Sequence, residues 1–380
     1  MVVREFWKKR IEAAWKHRPV VWLSGVRRVG KTTLCQSLDN IAYFDCELPR
    51  VRQLFEDPEQ FLQNTKGKRI VIDEIHRLKN PSELLKIAAD YFPDNKIIAT
   101  GSSTLGASAK FSDTLAGRKS EIWLTPMLYN EADLFGNSNI EHRLLYGGLP
   151  PFFSATILPE KDYQEWLDAY WAKDIQELFR LEKRYSFQKF VELLMAQSGD
   201  IFEATRFTSR CEVSRITISN YLAVLEQTFV VHVIRPFSTH RPTEIVSAPK
   251  VYGFDTGFVC HNKGWEKLRS EDKGNLWEHL VLNEMQGQLQ TKTLHYWRDK
   301  QGHEIDFIYL KNRQTNPVTI ECKWLVKKFD PRSLQSFRKI YPNGKNFVVA
   351  SDVTHSFEKK FGELMVKFIA IDKLCGELHS

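Results

Sequence analysis

Short apolar runs alternate with stretches of helical periodicity over the first third of the chain. The runs occupy residues 20–23, 41–44, 70–72 and 96–100 and are rich in Val, Ile, Leu and aromatic residues. Strands that alternate with helices are typical of a parallel sheet covered by helices. The pattern predicts an α/β domain at residues 1–128.

The middle of the chain, residues 129–237, has the apolar spacing of helices. A helix at 203–210, a turn at 211–213 and a serine-capped helix at 214–227 precede a β-rich run at 229–234. This order is typical of a winged helix-turn-helix, a module that contacts DNA or another protein. We interpret the aromatic residues at helical spacing as core packing: Tyr163, Trp166, Tyr170 and Trp171.

The α/β pattern returns beyond a stretch that contains Pro236, Pro242 and Pro249. It predicts a third domain at residues 238–380 and hence an α/β multidomain protein. The predicted elements are strands at 250–254, 294–297, 304–310, 318–324, 347–350 and 368–371, and helices at 274–288 and 331–340.

The composition is that of a soluble globular protein, since 42% of the 380 residues are apolar and 27% are charged. A formal net charge of +7 permits an anionic partner such as nucleic acid without establishing one. The six cysteines contain no C-x-x-C pair, which argues against zinc sites and disulfides. Neither a signal peptide nor a stretch of about 18 apolar residues occurs, so we expect a cytoplasmic protein without membrane segments.

Residues 25–32 read Gly-Val-Arg-Arg-Val-Gly-Lys-Thr, which fits the P-loop pattern G-x-x-x-x-G-K-[ST]. The loop lies between an apolar run and a helix, so its backbone N–H groups and Lys31 converge on phosphates. The hydroxyl of Thr32 is expected to hold Mg²⁺. The sequence predicts that ATP is bound by Gly25, Val26, Arg27, Arg28, Val29, Gly30, Lys31, Thr32 and Thr33.

A later apolar run ends in two carboxylates, Asp73 and Glu74. Behind a P-loop, Asp73 is expected to hold the Mg²⁺ shell and Glu74 to polarise the attacking water as general base. The next run leads into Ser102 and Ser103, which form either a γ-phosphate sensor or a serine-rich turn. Arg118 is a candidate arginine finger, although a lone loop arginine is more often solvated.

Acidic and basic residues also converge on two predicted strands near the C-terminus. Glu321 and Lys323 project from one face of a strand, and Asp306 lies on a neighbouring strand. Carboxylates that bind Mg²⁺ or Mn²⁺ beside a lysine are what metal-dependent phosphodiester hydrolysis requires, and Glu278 is a candidate further ligand. The spacing is that of the PD-(D/E)xK nuclease core. The alternative interpretation is a salt-bridged strand face.

The order of these motifs resembles a family of bacterial and archaeal AAA-type ATPases that carry a winged helix and a C-terminal restriction-endonuclease-like domain. The resemblance extends over nearly the whole chain. It is carried by the P-loop and by the segments that begin at Val71 (VIDEIH), Thr100 (TGSS), Leu115 (LAGR), Tyr146 (YGGLP), Lys250 (KVYGFDTG), Gly274 (GNLWE), Tyr296 (YWR), Glu304 (EID) and Ile320 (IECK).

The resemblance implies a fold and a set of roles. A parallel P-loop sheet, a winged-helix middle and a PD-(D/E)xK nuclease-like domain are expected in that order. The resemblance implies that Ser102 or Ser103 takes the sensor position and makes Arg118 a candidate finger. The residues implied for nucleotide chemistry are Lys31, Thr32, Asp73 and Glu74, and those implied for the nuclease core are Glu278, Asp306, Glu321 and Lys323.

Two functions from different classes remain open at this point. One is a DNA-directed ATPase whose C-terminal domain is a metal-dependent nuclease. The other is an ATP-dependent switch or adaptor whose nuclease-like domain only binds a partner or nucleic acid. A small-ligand kinase is less favoured because no acceptor-binding motif is visible. A finger that acts in trans through Arg118 would require a homo-oligomer.

Overall fold

A computed structural model describes residues 2–101, 113–157, 160–176, 179, 181, 183–239, 248–291, 293–312 and 314–379. Contacts divide the chain into two compact units. The first comprises Met1–Thr125, Gln164–Glu182 and Gln227–Phe229, and the second comprises Pro126–Tyr163, Lys183–Glu226 and Val230–Ser380. This division differs from the predicted domains 1–128, 129–237 and 238–380, because most of the middle region groups with the C-terminal sheet.

The first unit contains the predicted parallel sheet, with one strand more than the apolar runs indicated. Its strands are β1 Val20–Ser24, β2 Ile41–Asp45, β3 Arg69–Asp73, β4 Lys96–Thr100 and β5 Lys119–Trp123. They pair in parallel in the order β2-β3-β4-β1-β5. Strand β1 is buried throughout, as expected of an inner strand covered on both faces.

Helices cover this sheet, and three of them begin at proline, which suits the first helical turn. The helices are α1 Glu5–Trp15, α2 Lys31–Gln36, α3 Pro49–Gln53, α4 Pro58–Asn64 and α5 Pro81–Tyr91, with a 3₁₀ turn at Ile75–Arg77. Helix α1 buries Trp7, Ile11 and Trp15, which are spaced by one helical turn each and form its single apolar stripe.

The second unit is built on an eight-stranded mixed sheet. Its strands are β6 Val231–Pro236, β7 Lys250–Gly253, β8 Leu294–Arg298, β9 Glu304–Tyr309, β10 Val318–Lys323, β11 Asn346–Ala350, β12 Phe357–Phe361 and β13 Leu364–Ile369. Their order is β12-β13-β11-β10-β9-β8-β6-β7. Strand β6, which follows the predicted helix-turn-helix, pairs with β8 and therefore belongs to this sheet.

Further helices in the described part of the chain are α6 Ile140–Tyr146, α7 Pro150–Phe153, α8 Glu160–Tyr170, α9 Arg184–Ala196, α10 Thr205–Cys211, α11 Arg215–Gln227, α12 Thr256–Asn262, α13 Asp272–Leu289, α14 Arg332–Ile340 and α15 Ile371–His379. Two 3₁₀ turns lie at Tyr129–Phe135 and Val326–Lys328, and α8 continues into a π-helical turn at Trp171–Gln176. Among the described residues, no helix is both long enough and apolar enough to cross a bilayer.

Helices α9, α10 and α11 pack around an aromatic core that contains Phe187, Phe190, Phe207 and Tyr221. The Ser214 hydroxyl accepts a hydrogen bond from the backbone N–H of Thr217 at 3.1 Å and so caps α11. Strands β6 and β7 then pair in antiparallel fashion, and a single bridge joins Ile201 to Lys250. The helix and turn positions agree with the predicted ones to within two residues.

Candidate functional site

The P-loop joins β1 to α2 through two glycines with positive φ, Gly25 at 140° and Gly30 at 101°. A Cβ atom on Gly25 would lie 2.4 Å from the carbonyl oxygen of Leu124, so no larger residue fits without a backbone shift. Within the loop Val26 and Val29 are buried, whereas Arg28 is exposed. Thr33 in the first turn of α2 is also exposed.

Lys31 begins α2 and folds back over the loop. Its ammonium group donates to the carbonyl oxygens of Gly25 at 2.8 Å and Val26 at 3.1 Å. Burial lowers the pKa of Lys31, and the nearby carboxylates of Glu74, Asp174 and Asp73 oppose that shift. The lysine is therefore held among acidic groups at the place where a phosphate-binding cation is expected.

Asp73, the last residue of β3, accepts hydrogen bonds from three hydroxyl groups. Thr32 Oγ1 donates to Asp73 Oδ2 at 2.8 Å, Tyr43 donates to the same oxygen, and Thr100 donates to Oδ1. Strand β4 lies between β1 and β3, which brings Thr100 to the same sheet edge as Asp73 and the P-loop. Thr32 and Asp73, the predicted Mg²⁺ partners, are thus in direct contact.

Sequence reasoning did not assign Tyr43 and Thr100 to this site. A polar residue at the carboxyl end of β4 was a usable signal for Thr100, because parallel strands end at one edge. Tyr43 gave no such signal, because a tyrosine within an apolar strand is normally interpreted as a side chain of the hydrophobic core. Its hydroxyl is identified only by the contact with Asp73.

Glu74 follows β3 in a left-handed backbone conformation with φ 53°. Such a conformation is unfavourable for a non-glycine residue and is often found at functional sites. His76 Nδ1 lies 3.2 Å from Glu74 Oε2. Burial by itself raises the pKa of Glu74, but the hydrogen bond from His76 and the charges of Lys31 and Arg27 outweigh it, so that the pKa is lowered.

Arg118 lies at the amino-terminal end of the parallel strands, whereas the P-loop lies at their carboxyl end. It directly precedes β5, whose first residue pairs with Val20, whereas the P-loop follows the last residue of β1. Its guanidinium donates to Asp90 Oδ1 at 2.7 Å. Within one chain, Arg118 is paired with Asp90 at the end of the sheet away from the P-loop, and its role as an arginine finger stays a prediction. Ser102 and Ser103 lie outside the described residues.

Substitution of Gly25 by alanine is expected to lower the free energy of unfolding by about 3 kcal/mol. The new Cβ would meet the Leu124 carbonyl, and φ is 140°. Thermal and chemical unfolding would measure the loss. The matched control is Gly67→Ala, where φ is 72° and no atom lies within 4 Å, and for which we expect about 1 kcal/mol. Equal losses would contradict the steric argument.

Substitution of Thr100 by valine is expected to lower the rate of ATP hydrolysis by about tenfold. The variant keeps the shape of the side chain but removes the hydroxyl that holds Asp73 Oδ1. The half-saturating Mg²⁺ concentration should rise with it, since the carboxylate is less well oriented. Steady-state hydrolysis over a Mg²⁺ titration tests this, and unchanged Mg²⁺ dependence would contradict it.

A second cluster of charged residues lies in the C-terminal sheet. Lys323 Nζ lies 2.7 Å from Glu321 Oε2 and 3.2 Å from Asp306 Oδ2. The antiparallel register pairs Ile320 with Phe307, and Glu321 and Asp306 directly adjoin this last pair in the sequence. The backbone N–H of Cys322 also donates to Asp306 Oδ2, at 2.7 Å. The three residues predicted from strand alternation thus meet at one face.

Glu278 on α13 is hydrogen-bonded to Tyr252, a residue of the neighbouring strand β7. Tyr252 donates to Glu278 Oε2 at 3.2 Å, and Lys250 lies 3.4 Å from the same hydroxyl. Burial, reinforced by the charge of Asp306, raises the pKa of Glu278 to about 8. Sequence reasoning missed Lys250 and Tyr252, which lie on the same strand two positions apart and therefore on one face.

The cluster is buried, which makes its charges expensive unless they are paired. Burial and then Asp306 raise the pKa of Glu321 to about 8. Burial raises the pKa of Asp306 as well, but Lys323 and Lys250 outweigh it and lower that pKa. Glu321 Oε1 is buried and accepts no hydrogen bond from any residue that the structure describes.

Over the described part of the chain, no group of three or more His, Cys, Asp and Glu side chains is arranged so that it could hold a metal ion. Lys323 lies between Asp306 and Glu321 and contacts both carboxylates. The metal ligand set Glu278, Asp306 and Glu321 therefore stays a prediction.

Family models match three consecutive parts of the chain. Residues 17–132 match an AAA domain. This part of the chain is therefore an ATPase-like AAA domain. Residues 137–269 match the domain of unknown function DUF8612, and residues 273–371 match the domain of unknown function DUF4143.

Similar proteins are known from several organisms. Uncharacterized proteins of Mycobacterium tuberculosis and Mycobacterium bovis are each 27% identical over 340 residues, which is 86% of this chain and 75% of theirs. One from Haemophilus influenzae is 23% identical over 297 residues, 69% of this chain and 73% of its own. The solved Walker-type ATPase PABY2304 of Pyrococcus abyssi is 15% identical, with a TM-score of 0.47, and covers 69% of this chain and 96% of its own.

Proposed function

We propose that this protein hydrolyses ATP with Mg²⁺ and acts on DNA. The proposal of ATP hydrolysis rests on one contact: the carboxylate of Asp73 accepts a hydrogen bond from the P-loop hydroxyl of Thr32. Glu74, the proposed general base, directly follows Asp73 in the chain. Hydroxyl and carboxylate oxygens are the ligands that Mg²⁺ takes, so the residues present fit the ion. When bound, Mg²⁺ neutralises charge on the β- and γ-phosphate oxygens.

The residues divide the chemistry among them. Lys31 binds the phosphates, and the N–H groups of residues 25–31 surround them. Asp73 and Thr32 orient the ion, with Thr100 and Tyr43 holding the carboxylate. Glu74, which directly follows Asp73 in the chain, accepts the proton of the attacking water.

The DNA half is supported by the exposed face of helix α11. Arg215, Ser219 and Asn220 lie on this face, while Ile218 and Tyr221 are buried beneath it. Arginine, serine and asparagine are side chains that contact phosphates and base edges when a helix enters the major groove. The formal net charge of +7 favours such a partner.

The test is ATP hydrolysis and duplex-DNA binding by the full chain, measured together. DNA should stimulate turnover, and Arg215→Ala and Asn220→Ala should reduce the stimulation while basal turnover persists. Arg332→Ala is the matched control, since Arg332 is exposed on α14 and paired with Asp330. DNA that neither binds nor changes turnover would refute the DNA half and leave the ATPase half standing.

A second candidate function is metal-dependent DNA cleavage by the cluster around Lys323. The favouring observation is the buried Glu321 Oε1, which has no hydrogen-bond partner among the described residues and which a cation would satisfy. Mg²⁺ or Mn²⁺ should then raise the melting temperature of the wild type, and Asp306→Ala should abolish both this shift and cleavage. If neither ion stabilises the protein and DNA stays intact, the ATP-dependent switch with a binding-only C-terminal sheet is favoured.

A further inference from the structure

Helix α8 and the π-helical turn that follows it contact the P-loop at two points. From Gln164 onward this segment belongs to the first unit. The indole N–H of Trp166, which is 1% exposed, donates to the carbonyl oxygen of Arg27 at 3.1 Å. Arg27 Nε lies 3.2 Å from Asp174 Oδ2 in the π-helical turn. Arg27, which occupies an unspecified position of the P-loop pattern, thus contacts a distant segment through both its backbone and its side chain.

Asp174 lies among the groups that are expected to bind phosphate. Its side chain is 15% exposed and that of Arg27 is 27% exposed. Burial raises the pKa of Asp174, while Arg27 and Lys31 oppose this effect through their positive charges. The negative charge of Asp174 in turn raises the pKa of Lys31 and so opposes the effect of burial on that lysine. A nucleotide in the P-loop would therefore bring its phosphate charge next to a carboxylate.

We infer that Asp174 is a positioning residue for the nucleotide, whose carboxylate competes with the nucleotide phosphates for the guanidinium of Arg27. The inference rests on the proposed function only in requiring that the P-loop binds ATP or ADP. Arginine pairs with both carboxylate and phosphate, so one guanidinium can exchange between them. Phosphate in the loop repels Asp174 and favours the exchange.

The π-helical turn gives this exchange a structural consequence. Such turns often lie at functional sites. Tyr170, the last residue of α8, lies directly before the turn, and its hydroxyl is 2.5 Å from the hydroxyl of Thr228. Thr228 directly follows the last residue of α11. Release of Asp174 is therefore expected to alter the contact between Tyr170 and Thr228, the residue that follows α11 in the chain.

The experiment is a titration of the full chain with fluorescent ADP and with a non-hydrolysable ATP analogue, both with Mg²⁺. Asp174→Asn keeps the shape of the side chain but removes its charge, so that the guanidinium of Arg27 is available to the phosphates. We therefore expect nucleotide to bind about tenfold more tightly. In Asp174→Asn/Arg27→Ala most of this gain should disappear. Asp168→Asn on α8 and Arg50→Ala, an exposed arginine on α3 outside the P-loop, are the matched controls.

Unchanged or weaker binding in Asp174→Asn would overturn the inference, because a purely structural ion pair predicts no gain in affinity. A gain that persists without Arg27 would also overturn the competition. A wild type that binds no nucleotide would refute the proposed function instead. The two failures are therefore distinguishable.

Hydrogen exchange of residues 221–230, measured with and without ADP, tests the consequence for α11. Exchange should change on nucleotide binding in the wild type. In Tyr170→Phe the change should be lost while nucleotide affinity stays at the wild-type value. If nucleotide leaves exchange in this segment unaltered in the wild type, the transmission to α11 is refuted.

Discussion

Replacement of Glu74 by glutamine is expected to lower the turnover number of ATP hydrolysis by about 10² to 10⁴-fold. The amide cannot accept the proton of the attacking water, whereas the carboxylate of Glu74 has a lowered pKa and is ionised at neutral pH. Nucleotide binding should persist, because Lys31 and the loop backbone carry it. Steady-state hydrolysis and a nucleotide titration on the same preparation measure the two quantities.

The matched control is Glu83→Gln, since Glu83 is an exposed glutamate on the neighbouring helix α5. It should hydrolyse ATP at the wild-type rate. Turnover in Glu74→Gln above about one tenth of the wild-type value would assign the general base to another group. A loss of nucleotide binding in the same variant would mean that Glu74 has a structural role in the loop.

The sequence predicted the P-loop and the acidic strand end because each is a contiguous segment with a fixed chemical pattern. Parallel strands end at one edge, so the contact between Thr32 and Asp73 follows once the strands are recognised. The charged pair Glu321 and Lys323 was predictable for a similar reason. Strand alternation alone places both on one face.

Other members of the site could not be predicted, because they meet only through the fold. Tyr43 is 30 residues from Asp73, and Asp174 is 147 residues from Arg27. Neither belongs to a local motif. The position of Arg118 was not predictable for a related reason: β5 carries the charged Lys119 and Glu121 and was not recognised as a strand. Without β5 and its parallel register, the edge on which Arg118 lies could not be known.

The organisation of the middle region also depends on long-range pairing. The helices α10 and α11 and the turn between them follow local rules of capping and apolar spacing. Strand β6, however, pairs in antiparallel fashion with β7 and in parallel with β8, whose paired residues lie 60 positions further along the chain. Local pattern cannot reveal such a partner, and the domain boundary at residue 237 stays a prediction that falls between paired strands of this sheet.

Replacement of Lys323 by methionine is expected to lower the free energy of local unfolding in the C-terminal sheet by about 3 kcal/mol. Methionine fills similar space but leaves Asp306 and Glu321 buried without the cation that contacts both. Hydrogen exchange gives a local reading, since the amide of Cys322 donates to Asp306 Oδ2. Its exchange should accelerate in Lys323→Met.

Two further variants separate charge burial from loss of contact area. In Lys323→Met/Asp306→Asn one buried negative charge is removed with the lysine, so part of the stability should return and the two effects should not add. The exposed pair Arg332 and Asp330 provides the control, because Arg332→Ala should cost less than about 1 kcal/mol. If Lys323→Met costs no more than this control, the carboxyl groups are neutral in the folded protein and the cluster is not held by its lysine.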